Sequence, residues 1–296
     1  MSAQHPRTKQ LIQDFLTSRR ARGLSRETIS WYGRMLAPFY RLCPDLPRRP
    51  QQIERFLGAL EVGDESRHAY YRAIRAFYGW HYRRDKAGNP MLDIGAPKRR
   101  RKVPYSLSLA ELGYLMLVML SPRDRAFVDL LVDTGIRSSE ALGLCRCDVL
   151  QDTILVTGKT GQREVPVSGI VRDELLRLPG KDVLFTGTRG QLTRSGAYRI
   201  VKLALARAGI SPRKAGPHTL RHTFGRQYIM AGGDLVSLQR ILGHSDIATT
   251  RIYAELDLRD ITVQHAKFSP LTTLAAAMHR PELKVDVSFV KDRLKN

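Results

Sequence analysis

The sequence predicts a mostly α-helical chain with one small β-sheet: an all-α N-terminal domain followed by an α+β domain. Apolar side chains recur every three or four residues through most of the chain, as on one face of a helix. Five consecutive cations at residues 98–102 interrupt this pattern, and like charges in a row indicate a solvated linker. Two β-rich segments, residues 153–157 and 163–167, flank a Gly-containing turn, which is typical of a hairpin.

The N-terminal domain is predicted to span residues 1–95 and to contain four helical segments with apolar stripes. Ser25 is the expected N-cap of the second segment, and Ser66 is expected to open the fourth. The fourth segment is rich in aromatic residues, which we interpret as core rather than as a base-stacking surface. The cations between them are better candidates for contacts with phosphate groups, namely Arg67, Arg72 and Arg75.

A basic linker is predicted over residues 96–107, and a strap along a nucleic-acid backbone is favoured over a nuclear-localisation patch. Its cations are Lys98, Arg99, Arg100, Arg101 and Lys102. The second domain follows over residues 108–260, and its first helix begins with a capping box of Ser108 and Glu111. The remaining residues, 261–296, form a tail that either docks onto a neighbouring subunit or folds onto its own domain.

The second domain is predicted to be mainly helical around its hairpin. One helix stops near Gly135, the next begins at residues 138–140, and residues 183–185 are expected to add a short third strand. Further helices are predicted over residues 194–208, 219–230, 235–242 and 247–254. Arg194 and Arg199 lie in the helix predicted over residues 194–208. The polar N-terminal end of that helix is a candidate for contact with a major groove.

The composition indicates a nucleic-acid partner. The chain of 296 residues has 49 Lys and Arg against 28 Asp and Glu, a formal charge of +21, which a polyanion would offset. An anionic membrane surface is the second possibility, but no apolar run approaches the roughly 20 residues of a spanning helix. No signal peptide is expected at the N-terminus. Three cysteines do not make a disulfide framework, so we expect a cytoplasmic, nucleoid-associated protein.

Two late segments carry residues suited to phosphate chemistry. His218 and Arg221 are three residues apart and share a helix face. Gly243 closes an apolar helix before His244, and Tyr253 follows as the only strong nucleophile in the group. Attack on a phosphodiester needs either metal ions held by clustered carboxylates or permanent cations with a protein nucleophile. The acids here are scattered, so no metal site and no cofactor is expected.

These motifs together resemble the tyrosine recombinase (phage integrase) family. Residues 134–144 resemble its first arginine box, and residues 158–167 resemble its lysine-bearing hairpin. His218-x-x-Arg221 and Leu242-Gly243-His244 match its second box, with Tyr253 at the position of the nucleophile. The match covers roughly residues 108–270 in the family's order, while the N-terminal domain resembles the core-binding domain more loosely. A simple two-domain, Xer-like type fits best.

The resemblance implies a role for each site residue. Tyr253 attacks the scissile phosphate to form a 3′-phosphotyrosyl link, while Arg137 and Arg221 hold the non-bridging oxygens. Lys159 is the general acid for the leaving 5′-oxygen, and His218 assists proton transfer at the tyrosine. The supporting members are His244, which donates to the phosphate, and Glu140, which braces Arg137. His222 has no role in this scheme and is interpreted as structural.

The resemblance also implies a C-shaped clamp around double-stranded DNA, with two protomers per site and four in a synapse. Strands would be exchanged in pairs through a Holliday junction without metal or ATP. The resemblance also favours exchange of the tail, residues 261–296, between subunits. A type IB topoisomerase, with the same phosphotyrosine chemistry, and a DNA-binding protein with a relic active site are the alternatives. Taken singly, each motif has an ordinary structural explanation, such as a surface arginine, a turn lysine or a packed tyrosine. Their joint occurrence in a strongly basic chain favours the recombinase.

Overall fold

The computed structural model describes residues 7–98, 104–158, 161–180, 182–187, 190–210, 216–244 and 247–250, together with Tyr253, His265, Ser269 and Leu271. The chain divides into two compact units, Met1–Lys102 and Val103–Asn296. The division falls within the predicted linker, and the finer boundaries given above stay predictions.

Within its described residues, the first unit has four α-helices that pack together: α1 (Thr8–Ala21), α2 (Arg26–Leu42), α3 (Pro50–Gly58) and α4 (Asp64–His81). Ser25 caps α2 as predicted, since its hydroxyl accepts a hydrogen bond from the Thr28 N–H. The predicted start of α4 at Ser66 is wrong. The helix begins at Asp64 behind an extended Gly63, because Asp64 and Glu65 place two carboxylates in the first turn, where the helix dipole favours them.

The aromatic residues of α4 belong to the core, as interpreted from the sequence. Tyr71, Phe77 and Tyr78 are buried, and Phe77 packs edge-on against Phe15 of α1 at 5.7 Å between ring centroids. The Tyr78 hydroxyl donates to the Pro47 carbonyl at 2.8 Å. Their polar atoms are therefore satisfied within the unit, as buried tyrosines require.

The second unit is mainly helical with small antiparallel sheets. Its helices are α5 (Leu109–Leu117), α6 (Pro122–Thr134), α7 (Ser138–Leu142), α8 (Gly169–Arg177), α9 (Arg194–Arg207), α10 (Pro217–Met230), α11 (Leu235–Leu242) and α12 (Ile247–Thr250). The predicted capping box is confirmed, because Ser108 and Glu111 exchange hydrogen bonds at the start of α5. Helix α8 was not predicted, although Ser168 caps it and Val171 and Leu175 lie on its buried face.

The predicted hairpin consists of β1 (Thr153–Gly158) and β2 (Gly161–Pro166), paired in register from Thr153–Pro166 to Gly158–Gly161. The predicted third strand at residues 183–185 is wrong. Val183 makes only an isolated bridge to Cys145, and the next pairing is a separate two-residue hairpin of β3 (Thr186–Gly187) and β4 (Gly190–Gln191). Leu184 and Phe185 instead fill the core, so their apolar run reflects burial.

Among the helices that the structure describes, none is both long and apolar enough to cross a membrane.

The core of the second unit gathers side chains from α6, β1, β2, α8 and α9. The start of the unit is fixed to α10, because the Leu107 N–H donates to Thr223 Oγ1 at 2.9 Å and Gln227 donates to the Leu107 carbonyl at 3.1 Å. Helix α10 is thus held along its length, which positions the residues described next.

Candidate active site

Arg221 lies at the centre of the site and joins three segments of the second unit. It is buried on α10 and donates to the Gly135 carbonyl and to the Leu242 carbonyl, both at 2.7 Å. Its Nη2 lies 2.9 Å from His244 Nε2. Carbonyls at helix ends have no partner within the helix, so Arg221 satisfies the ends of α6 and α11 while facing His244.

Both helix ends around Arg221 depend on glycine. Gly135 and Gly243 adopt left-handed conformations with φ of 63°, which glycine reaches without strain. A Cβ on Gly135 would also lie 2.3 Å from Phe224 Cδ1, and one on Gly243 would lie 2.7 Å from Arg163 Cζ. These positions therefore require glycine for both conformation and space.

Gly135→Ala is expected to destabilise the protein and slow DNA cleavage, because the added methyl group displaces Phe224 and the carbonyl that holds Arg221. Gly209→Ala is the matched control: Gly209 also has positive φ, at 72°, but open space around its Cβ position. The control should lose about 1–2 kcal/mol of unfolding free energy from backbone strain, and Gly135→Ala should lose more. Denaturant unfolding and single-turnover cleavage measure both effects. Equal losses in the two variants, with unchanged cleavage, would contradict the contact with Phe224.

Glu140 is a buried carboxylate that holds two arginines. Its Oε1 accepts from Arg137 Nη1 at 3.0 Å and from Arg163 Nη1 at 2.9 Å. Its Oε2 accepts from Arg163 Nη2 at 3.0 Å and from the Arg137 backbone N–H at 2.9 Å. Burial would raise the pKa of Glu140, but the hydrogen bonds from Arg163 and the Arg137 backbone lower it below its usual value. The carboxylate is therefore ionised and fixes the orientation of Arg137.

The cluster of Glu140, Arg137 and Arg163 also connects the β1–β2 hairpin to the site. Arg163, on β2, also donates from Nε to the Ile241 carbonyl at 3.1 Å, near the end of α11. A Cβ on Gly158 would lie 2.5 Å from Glu140 Oε1, so the end of β1 approaches the carboxylate closely. Lys159 follows directly in the chain and lies outside the described residues.

Tyr253 is buried in an apolar cluster with Leu238 and Leu242, with 6% of its surface exposed. Its hydroxyl lies 3.1 Å from His222 Nδ1. A Cβ on Gly225 would come within 2.8 Å of the tyrosine ring, so this glycine leaves space for it. Burial raises the pKa of Tyr253, while the positive charge of Arg221, a hydrogen bond with Arg221 and the charge of Arg137 oppose that rise. The positive charges of two arginines thus act on a potential nucleophile.

His244 lies between Arg221 and Tyr253. Its ring is nearly parallel to the Tyr253 ring, with centroids 6.4 Å apart, and its Nδ1 lies 2.9 Å from Thr250 Oγ1. Burial and the positive charges of Arg221 and Arg137 lower the pKa of His244 to about 4. It is therefore neutral near pH 7, and contacts at both ring nitrogens hold its orientation.

His218 is exposed at the first turn of α10.

The residues proposed for DNA contact lie on two helices and the linker. On α4, Arg67 donates to the Leu57 and Leu60 carbonyls at 3.2 and 3.0 Å, which uses its guanidinium within the first unit. Arg72 and Arg75 are exposed, with Arg72 over the Trp31 ring at 5.6 Å. Exposed positions are also occupied by Lys98, Arg194 and Arg199. Outside the described residues lie Arg99, Arg100, Arg101 and Lys102.

Two residues near the site were missed in the sequence analysis. Arg163 carried no assigned role, although it follows the hairpin glycine and lies on β2 beside the carboxylate. His222 was interpreted as structural, yet among the described residues it is the imidazole that contacts the Tyr253 hydroxyl. Its position next to Arg221 in the chain was the available signal.

Comparisons with known proteins identify the family of the chain. Residues 110–259 match the model of the phage integrase family. The chain is 33% identical over 288 residues to tyrosine recombinase XerC of Erythrobacter litoralis, covering 90% of this chain and 94% of the relative. It is 32% identical over 291 residues to tyrosine recombinase XerD of Oceanobacillus iheyensis, covering 88% and 98%.

Solved structures share the architecture. The crystal structure of XerA recombinase aligns with a TM-score of 0.51 at 27% identity, covering 89% of this chain and 99% of that one. XerH site-specific recombinase bound to palindromic difH substrate aligns with a TM-score of 0.69 at 22% identity, over 86% and 83%. The latter likeness supports the fold. The chain belongs to the phage integrase family and is a tyrosine recombinase of the Xer-like type.

Proposed function

We propose that this tyrosine recombinase cleaves and rejoins duplex DNA at a specific site through a 3′-phosphotyrosyl intermediate. The observation that carries the proposal is the grouping of Tyr253 with Arg221 and His244, within the positive field of Arg137. A phosphodiester is attacked readily only where its charge is offset and its non-bridging oxygens are held. Planar guanidinium groups suit that task because they stay charged and can bind two oxygens.

In this proposal each residue acts on one part of the phosphate. Tyr253 supplies the attacking oxygen, and Arg137 and Arg221 bind the non-bridging oxygens in the transition state. His244 donates a hydrogen bond to the phosphate. The family resemblance assigns assistance of proton transfer at Tyr253 to the exposed His218. Lys159 protonates the leaving 5′-oxygen. Since the phosphotyrosine conserves the energy of the phosphodiester, rejoining needs no metal ion and no ATP.

Glu140 has a supporting role, because it holds Arg137 without facing the phosphate. Its four hydrogen bonds are all to arginine groups, so its oxygens are occupied. We infer that it fixes the first arginine before DNA arrives, which reduces the reorganisation needed in the transition state.

The larger assembly is also a proposal. The XerH structure contains a difH substrate, and the +21 charge of this chain favours a nucleic acid partner. We propose that two protomers bind each site and that four form the synapse, with strand exchange through a Holliday junction. The two units would close on the DNA as a clamp. The tail at 261–296 lies largely outside the described residues, and its exchange between protomers stays a prediction.

We assign contacts with the DNA phosphate backbone to the cations of α4, the linker and α9. The exposed side chains that fit this role are Arg72, Arg75, Lys98, Arg194 and Arg199, because cationic side chains position a protein on phosphates. Such contacts are independent of sequence, so they do not identify the target site. We place the protein in the cytoplasm on the nucleoid, or on the DNA of a mobile element, as its substrate requires.

Tyr253→Phe is expected to abolish covalent trapping on DNA while leaving DNA binding intact, because only the attacking oxygen is removed. Nicked suicide duplexes drawn from DNA flanking the encoding gene would be incubated with protein in EDTA and resolved in SDS. Tyr228→Phe is the matched control, since Tyr228 packs against the same apolar cluster and loses the same atom.

Wild type and the Tyr228 variant should form SDS-stable adducts, and the Tyr253 variant should form none. Sizing the same complexes on DNA reports the number of bound protomers. Tight binding of wild type to its DNA without any adduct would contradict the proposed activity and favour a DNA-binding relic.

A further inference from the structure

We propose that His222 positions the Tyr253 hydroxyl and accepts its proton as the phosphotyrosyl bond forms. This inference rests on the proposed function and adds a residue to it. The family motif assigns proton transfer at the tyrosine to His218, four residues earlier on α10. The geometry instead points to His222, whose Nδ1 lies 3.1 Å from the Tyr253 hydroxyl.

The contact has the arrangement that a general base requires. A base must lie within about 2.6–3.2 Å of the atom from which it takes a proton, and the Nδ1–hydroxyl distance meets this condition. The two rings lie 5.6 Å apart with a tilt of 47°, so the imidazole edge faces the hydroxyl. Backbone hydrogen bonds within α10 hold His222, and Gly225 one turn later leaves space for the tyrosine ring.

Burial and the charges around His222 keep its accepting nitrogen free of a proton. Burial, followed by His218 and Arg221 on α10, lowers the pKa of His222 to about 4. Tyr253 and His244 face it from the segment after α11. In the neutral ring with its hydrogen on Nε2, Nδ1 accepts the tyrosine hydrogen bond. A bound phosphate adds negative charge beside these cations, which favours the imidazolium that proton transfer creates.

The step balances without a further reactant. The tyrosine oxygen forms a bond to phosphorus as the bond from phosphorus to the 5′-oxygen breaks. The hydroxyl proton moves to His222 Nδ1, and the 5′-oxygen takes its proton from the general acid, assigned above to Lys159. During rejoining the 5′-hydroxyl returns its proton to Lys159 as it attacks phosphorus. The bond from phosphorus to the tyrosine oxygen then breaks, and His222 returns its proton to that oxygen.

The test compares His222→Ala with His222→Asn in single-turnover cleavage of suicide duplexes. Asn places an amide oxygen near the position of Nδ1, so it can accept the hydroxyl hydrogen bond but cannot take the proton. His222→Ala should cleave about 10²–10⁴-fold more slowly than wild type. His222→Asn should recover part of that loss, and its pH profile should lose the acidic limb that His222 creates. His81→Asn, in the first unit, is the control for loss of an imidazole and should cleave at the wild-type rate.

A second substrate shows whether His222 acts on the attacking tyrosine or on the leaving 5′-oxygen. A duplex with sulfur in place of the bridging 5′-oxygen has a leaving group that needs no general acid. If His222 acts on Tyr253, the deficit of His222→Ala persists on this duplex. A deficit that disappears there, or cleavage within threefold of wild type on both duplexes, would overturn the inference. Absence of adduct in wild type would instead contradict the proposed function, so the two failures are distinguishable.

Discussion

Arg221→Ala is expected to reduce the cleavage rate at least about a thousandfold, because a single preorganised donor to a developing charge contributes about 10²–10³ and Arg221 also orients its neighbours. The variant should be less stable as well. The Gly135 and Leu242 carbonyls lose their donors, and a buried polar group left unpaired costs about 1–3 kcal/mol. Burial and the nearby Arg137 lower the pKa of Arg221 to about 10, so it is still charged at neutral pH.

Arg146→Ala separates the loss of stability from the loss of chemistry. Arg146 also donates to three carbonyls, those of Leu176, Leu178 and Gly180, but it contacts none of the site residues described above. Unfolding by denaturant should show destabilisation in both variants, whereas suicide-duplex cleavage should fail only in Arg221→Ala. Wild-type cleavage by a folded Arg221→Ala protein would remove this arginine from the site.

Glu140→Gln is expected to slow cleavage about a hundredfold, because Arg137 loses the carboxylate that orients it and small misplacements of a binding group are costly. The unfolding free energy should fall by about 3 kcal/mol, at the lower end for a broken buried pair, since the side chain of Arg137 is 34% exposed. Glu111→Gln is the control: Glu111 also accepts hydrogen bonds at the start of a helix, and its loss should not change cleavage. Equal cleavage by both variants would contradict the bracing role.

The destabilisation should depend on pH in one direction. The folded-state pKa of Glu140 lies below its ordinary 4.5, so its contribution is complete above the unfolded-state value and is lost as pH falls through the folded-state value. The difference in unfolding free energy between wild type and Glu140→Gln should therefore be constant above about pH 5 and shrink below about pH 4. A difference that grows on acidification would contradict an ionised carboxylate.

The main features of the fold could be predicted from local signals. Helix caps depend only on residues close to them in the chain. The starts of helices at Ser25 and Ser108 and the glycine-closed ends of α6 and α11 could therefore be predicted. The start of α4 was misplaced because two acidic residues before Ser66 extend the helix. Residues 183–185 resembled a strand because burial of Leu184 and Phe185 gives the same apolar pattern.

The site could be predicted only where its residues form local motifs. His218 and Arg221 share a helix face, so their spacing indicates a joint role. His222 lies one turn after His218 on α10, but its contact with Tyr253 depends on how the segment after α11 packs against that helix. Arg163 joins β2 to Glu140 across 23 residues, a pairing that no spacing rule contains. Contacts between distant segments follow from packing and cannot be inferred from local patterns.

The central claim, that Tyr253 is the nucleophile, is tested most directly by mass spectrometry of the trapped adduct. Digestion of the SDS-stable complex with trypsin and nuclease should yield the peptide of residues 252–259, in which Tyr253 is the only tyrosine. We expect that peptide to carry a nucleotide joined through a 3′-phosphate to the tyrosine oxygen. An unmodified peptide, with the nucleotide on Tyr228 or on any other residue, would contradict the account.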